Sequence, residues 1–495
     1  MNRQITKLAV AALILLAALI VATTWWQTWA SASLAAKQDN AIQRVAQFRI
    51  KRGLIRAADG SVLARNVRRK VGGQTLFFRR YPHGPLYAHL VGYATQVRSR
   101  AGIERSENAY LTASNSNLGT VLDKTLDKLK GVTIEGNDLI LSVRPGIQRL
   151  AMEQLAGKCG AAVVMNPKTG KIYALASQPT YDPNLVEKHF NRIRTTSPGC
   201  RPAAPLLDRA TAGRFTPGST FKVVTAATAL DSNRFSPDST FEDPGYCIEY
   251  GDRVSNAASP DGPVEAFGTV TFAQGLQHSI NSVFCNIGKA LGAGLILDFS
   301  KKFGFYKDPP IELPDDEKAA SGLYDHGRLF FPKDPNTQVD PGRLAFGQER
   351  LSVTPLQMAM VASAVANGGE LMQPSAVLRV VDPDGHTIVR VKPKKLDRVM
   401  SKGTANEITS MMVAAVNDGT GGAAAIPGVR VAGKTGTAET GATGINTTWF
   451  ICFAPADDPR VAVAVALENQ RGFGGTTAAP IAKVLMQAVL NRGSK

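Results

Sequence analysis

The chain has 495 residues, with 57 Lys and Arg against 40 Asp and Glu, and its net charge of +17 suits an anionic partner or surface. Its length favours two or three domains over a single core. The cations are dispersed, with short clusters at 68–70 and 392–395 and no aromatic-basic recognition motif beside them, which argues against nucleic acid as a partner.

Residues 8–22 form an unbroken apolar run, preceded by Arg3 and Lys7 and followed by TTWWQTWA. Such a run suits the core of a cleavable signal peptide, and Ala30-Ser31-Ala32 resembles a cleavage site. Residues 8–29 would also reach about 33 Å as a helix, enough for a hydrocarbon core of roughly 30 Å. Trp25, Trp26 and Trp29 fall where an interfacial belt belongs, so a retained transmembrane anchor at 8–29 is the preferred reading. Residues 1–7 then form a cytoplasmic stub, and everything after about residue 30 faces outward. Either reading exports the body of the protein.

Residues 30–135 are basic and polar, with short strand-like runs (GLIRA, KVGGQTLFFRRY, HLVGYATQV) and no sustained helical stripe, which suggests a small mixed accessory module. From 136 onward the pattern changes. GNDLILSV reads as a turn and strand, and PGIQRLAMEQLAG as a helix with apolar positions 147, 150, 151 and 155. Two apolar runs around Pro167-Lys168-Thr169-Gly170 read as a hairpin. Near the other end, GVRVAGKTGTAE, TTWFICFAP and RVAVAVALE read as three strands, closed by a helix at about 478–491. Two strands early, three late and helices between predict an α/β domain over 136–495, whose antiparallel sheet gathers both ends of the domain. The five cysteines are odd in number and lack CxxC or CxH spacing, which argues against a zinc site or a disulfide framework and leaves room for one disulfide.

Within TPGSTFKVVTAATAL, Pro217 and Gly218 make a turn and Ser219 opens a helix. A serine there is ordinarily an N-cap. Lys222, however, lies at i+3 on the same helix face and runs into an apolar stretch. A desolvated lysine has a lowered pKa and can act as a base, and a helix amino terminus favours a developing oxyanion, so the pair also fits an activated nucleophile. Ser279-Ile280-Asn281 follows Ser219 by 60 residues, and Lys434-Thr435-Gly436-Thr437 follows Ser279 by 155. The order S-x-x-K, S-x-N, K-T-G is the signature of penicillin-interacting serine enzymes. Two look-alikes, Ser106-Glu107-Asn108 and Lys168-Thr169-Gly170, both precede the nucleophile; the first falls in the accessory module and the second in a hairpin turn.

With these motifs the chain resembles a class B penicillin-binding protein, most like the penicillin-binding protein A group of actinobacteria. The likeness extends through GAAVVMNPKTGKIYALASQPTYDPN, PLLDRATAGRFTPGSTFKVVTAA and AFGQERLSVTPLQMAMVASAVANGG. The resemblance implies the penicillin-binding fold, a five-stranded antiparallel sheet flanked by helices, with no metal and no cofactor. It implies a monofunctional peptidoglycan D,D-transpeptidase with a D-Ala-D-Ala stem-peptide donor, an amine acceptor, covalent inhibition by β-lactams, and wall-synthesis or division proteins as partners at the plasma membrane. Ser219 is then the nucleophile, Lys222 its base, Ser279 a proton relay, Asn281 a donor-peptide and Lys222 contact, and Lys434 a source of positive potential. Thr435 and Thr437 bind the terminal carboxylate, while Gly436 lets a substrate backbone come close. A D,D-carboxypeptidase, a β-lactamase and a non-catalytic wall-assembly scaffold are the alternatives. His278 has no carboxylate in sequence to orient it, Trp449 is expected to pack in the sheet, and Arg343, Gln348 and residues 354–357 are expected to be structural. RGFGGTT at 471–477 is expected to join a strand to the last helix.

Overall fold

The computed structural model describes residues 2–25, 47–114, 134–195, 200, 202–256, 264–440 and 444–491, and absences and counts below refer to these residues. Helix α1 (Asn2–Trp25) exposes its apolar side chains, and its stretch Arg3–Trp25 is long and apolar enough to cross a membrane. Trp26, Trp29 and the Ala30-Ser31-Ala32 sequence lie outside the described residues.

The first part of the chain after α1 builds a six-stranded sheet. GLIRA contributes the strand Ile55–Arg56, and KVGGQTLFFRRY becomes the hairpin of Val62–Val71 and Gln74–Arg80. HLVGYATQV differs from expectation: it opens as a short helix, Ala88–Val91, ended at Gly92 in the left-handed region (φ 75°). Asp138–Leu141 pairs in parallel with Ile55–Arg56, and Val377–Val381 and Thr387–Arg390 then complete the sheet from far along the chain. Glu104 anchors this part, with Oε2 at 2.7 Å from Arg52 Nη2 and Oε1 at 2.5 Å from Arg79 Nε. Burial alone would raise this carboxyl, but the two guanidiniums hold it below the usual range.

Helix α2 (Pro145–Gln154) leads into β1 (Cys159–Met165) and β2 (Ile172–Gln178), the expected hairpin. The helices α3 (Lys222–Asp231), α4 (Phe272–Gln277), α5 (Asn281–Leu291), α6 (Pro355–Ala366) and α7 (Lys402–Asn417) follow. Strands β3 (Ala432–Glu439), β4 (Asn446–Ala454) and β5 (Val461–Gln470) then precede α8 (Gly474–Asn491). The sheet order is β3-β4-β5-β1-β2, antiparallel throughout, so the domain's last strands pair with its first as expected. β1 is buried along its whole length because both faces are covered, which explains its continuous apolar sequence. Residues of α2 and α8 pack in one core with one face, and residues of α3 and α6 in a second core with the other. β3 is an edge strand, leaving one side of its backbone free to pair.

Two disulfides are present among the described residues, Cys159–Cys200 and Cys247–Cys285, while Cys452 is buried and free. This exceeds the single disulfide for which the sequence left room. The partners are 41 and 38 residues apart, and tertiary packing rather than local spacing brings them together. The second disulfide joins the strand Tyr246–Glu249 to α5.

Candidate active site

Ser219 lies in a 3₁₀ turn, Gly218–Phe221, that runs into α3. Its hydroxyl caps nothing; the turn is closed instead by Thr220 Oγ1 donating to Pro217 O at 2.8 Å. The ordinary N-cap reading of Ser219 is thereby set aside, and the hydroxyl faces a cavity of about 490 Å³. The turn is pressed against β3, where a Cβ at Gly436 would stand 2.7 Å from Pro217 O and 2.9 Å from Thr220 Cγ2. The close backbone approach at Gly436 is thus made by the nucleophile's own turn.

Lys222, the first residue of α3, is fully buried. Its Nζ donates to Ser279 O at 2.7 Å and Asn281 Oδ1 at 2.8 Å, with Ser279 Oγ at 3.4 Å. Ser279 follows α4 and holds a positive φ of 62°, an uncommon conformation for a residue with a side chain. Asn281 opens α5, and its Nδ2 donates to Ser255 O at 3.1 Å. Burial, and after it the charge of Lys434, pushes the Lys222 ammonium well below its ordinary pKa.

The far wall is β3. Lys434 is also fully buried, and burial pushes its pKa down to about 7. Its Nζ lies 3.2 Å from Thr435 O. Thr435 Oγ1 is 2.6 Å from Thr420 Oγ1, and Thr437 Oγ1 accepts from the N–H of Gly474, the first residue of α8, at 3.2 Å. The positive end of the α8 dipole therefore lies beside Thr437 and favours an anionic group there. Ser219, Ser279, Asn281, Thr435, Gly436 and Thr437 line the cavity, and the buried Lys222 joins them through its hydrogen bonds. The decoys lie elsewhere: Ser106-Glu107-Asn108 spans two short helices of the first part, and Lys168-Thr169-Gly170 turns between β1 and β2.

Several cavity residues carry no motif. Buried Asp243 accepts from Gly245 N at 2.8 Å, Asn256 Nδ2 at 2.9 Å, Phe267 N at 2.9 Å and Ser282 Oγ at 2.5 Å. It thereby fixes two cavity residues, Asn256 and Phe267, to the start of α5. Their signal is a contact map, absent from a Pro- and Gly-rich middle segment. His278 stacks on Phe267 with ring centroids 5.4 Å apart. Gln348, expected to be structural, also lines the cavity, and 473–476 both lead into α8 and border the cleft. Trp449 packs as expected, with Nε1 donating to Thr216 O at 2.9 Å.

Residues 160–487 match the family described as the penicillin binding protein transpeptidase domain, and 52–139 match the penicillin binding protein A dimerisation domain. The chain is 32% identical to peptidoglycan D,D-transpeptidase PbpA of Mycolicibacterium smegmatis, with 100% of both chains covered. Among solved structures, a D,D-transpeptidase domain from Eggerthella lenta superposes with a TM-score of 0.76 at 34% identity, covering 90% of this chain and 100% of that one. Penicillin-binding protein A from M. tuberculosis, solved as a penicillin G acyl-enzyme complex, superposes with a TM-score of 0.76 at 30% identity, covering 89% of this chain and 100% of that one.

Proposed function

Because the chain belongs to the penicillin-binding protein transpeptidase family, we propose that Ser219 is the nucleophile through which it cross-links peptidoglycan stem peptides. The activity is that of a peptidoglycan D,D-transpeptidase, with β-lactams as covalent inhibitors. The observation that carries the assignment of roles is Lys222. It is buried, its pKa is lowered, and Ser279 and Asn281 hold it on the face it shares with Ser219.

In its neutral form Lys222 accepts the Ser219 proton as Oγ attacks the carbonyl between the last two D-alanines. The N–H groups of Ser219 and Thr437 stabilise the oxyanion. An extended donor peptide pairs with the free edge of β3, its terminal carboxylate on Thr435 and Thr437 within the positive potential of Lys434. Ser279 passes a proton to the leaving D-alanine, and Asn281 orients the donor amide. A neighbouring stem's amine then resolves the acyl-enzyme.

Arg3 and Lys7, in the first turns of α1 ahead of the apolar run at 8–22, favour an amino terminus inside, the catalytic domain outside, and residues 30–135 as the module that meets other wall-synthesis or division proteins. Labelling with fluorescent penicillin, followed by the acyl-enzyme's breakdown with and without an acceptor amine, tests the reaction. Transpeptidation predicts a long-lived label and acceptor-dependent turnover; rapid hydrolysis without acceptor would assign a carboxypeptidase or β-lactamase, and no label a scaffold.

A further inference from the structure

The cavity that holds Ser219 does not close at Thr435. Beyond the Thr435–Thr420 contact it continues into a groove of about 470 Å³. Glu265, Phe267, His278 and Thr420 line both spaces, and Asn417, Asp418 and Gly419 line only the groove.

The groove's charge runs against that of the chain. The protein carries +17, yet no lysine or arginine lines the groove, while two carboxylates do. Glu265 and Asp418 are exposed, and neither forms an ion pair among the described residues. Asp418 follows the last residue of α7, so the helix's unpaired carbonyl end adds negative potential at the same place. Gln277 Nε2 donates to Asp418 O at 2.7 Å and fixes this corner to α4. Opposite it, the stacked rings of Phe267 and His278 form a flat wall suited to an aliphatic chain.

The proposed reaction says what this end of the cleft must handle. The carboxylate on Thr435 and Thr437 belongs to the residue that leaves. By microscopic reversibility, the amine that resolves the acyl-enzyme approaches the carbonyl from the position the leaving amine vacates. The acceptor therefore enters on the Thr435 side, where the groove opens.

Resting on that reading, we infer that this groove is the acceptor site, and that it takes a primary amine on an aliphatic chain, drawn in as its ammonium form by Glu265 and Asp418. The ammonium gives one proton to solvent in the groove. The neutral nitrogen bonds to the acyl carbon, the bond from that carbon to Ser219 Oγ breaks, and the amine's second proton passes through Ser279 and Lys222 to Oγ. The carboxylates also repel the departing D-alanine's carboxylate and disfavour acceptors with a free carboxylate beside the amine.

The test uses the full chain in nanodiscs, an N-acyl-D-alanyl thioester as donor, and glycinamide or glycine as acceptor. In Glu265→Gln/Asp418→Asn the glycinamide KM should rise about five- to tenfold, the scale of losing a steering field, with a much smaller change in kcat. Asp418→Asn alone should give an intermediate rise. In the wild type, raising salt should raise the glycinamide KM, and glycine should be the poorer acceptor. A double variant that still labels with penicillin but keeps its glycinamide KM within twofold of wild type would overturn the inference. If the double variant does not label, the single variant and the wild-type salt series decide in the same way. Failure of the wild type to label at Ser219 would instead refute the proposed function; labelling with a charge-insensitive acceptor KM refutes only the acceptor site.

Discussion

Lys222 Nζ lies 2.8 Å from Asn281 Oδ1, a contact between the first residues of two helices that start 59 positions apart. The contact orients a buried amine whose other hydrogen bonds go to Ser279 and which sits over the Phe284 ring. Asn281 is itself held by Ser255 O, and its neighbour Ser282 by Asp243 and Asn256, so the base rests on a chain of satisfied polar groups. Asn281→Ala should slow penicillin acylation by about 10- to 100-fold, within the range of misplacing a general base. Stopped-flow or gel-based labelling rates at several penicillin concentrations would check this, with a larger loss in the acylation rate constant than in the affinity of the first complex.

The two buried lysines predict a pH profile. Acylation should rise with pH as Lys222 loses its proton and fall as Lys434 discharges at about pH 7. Lys434→Arg keeps the charge and should remove the falling limb, whatever its absolute rate. Stability should follow its own course. Lys434 in the fold binds its proton less well than in the unfolded chain, so the unfolded state holds more protons between about pH 7 and the ordinary lysine range, and stability rises with pH across that window. Labelling rates from pH 5 to 10 and thermal melts over the same range separate the two effects.

Gly436→Ala tests the packing of β3 on the nucleophile turn. The added Cβ, 2.7 Å from Pro217 O, forces strand and turn apart. A loss of roughly 1–3 kcal/mol in stability is expected, with slower acylation because Ser219 moves with its turn. Denaturant unfolding and penicillin labelling of the same preparation would show both.

In the six-stranded sheet region, Glu104→Gln leaves the buried Arg52 and Arg79 facing each other without a counter-charge. Removing one member of such a group costs about 3–5 kcal/mol. Limited proteolysis should then cut the 52–139 region while the transpeptidase domain still labels.

The three motifs and the sheet that joins the two ends of the transpeptidase domain could be read from sequence because each is local. Ser219-x-x-Lys222 is one helical turn, and the strands around Val163 and Val463 are continuous apolar runs buried on both faces. The resemblance supplied the order of the motifs. What stayed hidden depends on distant contacts. The pairing of Cys247 with Cys285, the strand Val377–Val381 crossing to Asp138–Leu141, and the placement of Asn256 and Phe267 by Asp243 have no periodic or spacing signal. His89-Leu90-Val91 belongs to a short helix where a strand is expected, because so brief a stretch, with only Leu90 and Val91 apolar, fits either equally well.

The central claim is that Ser219 forms the acyl-enzyme, and the most direct measurement is mass spectrometry of the full chain after exposure to penicillin, for the wild type and Ser219→Ala. The account predicts one adduct of penicillin mass on the wild type, located on the peptide containing Ser219, and none on the variant. An adduct of the same mass on Ser219→Ala would contradict it.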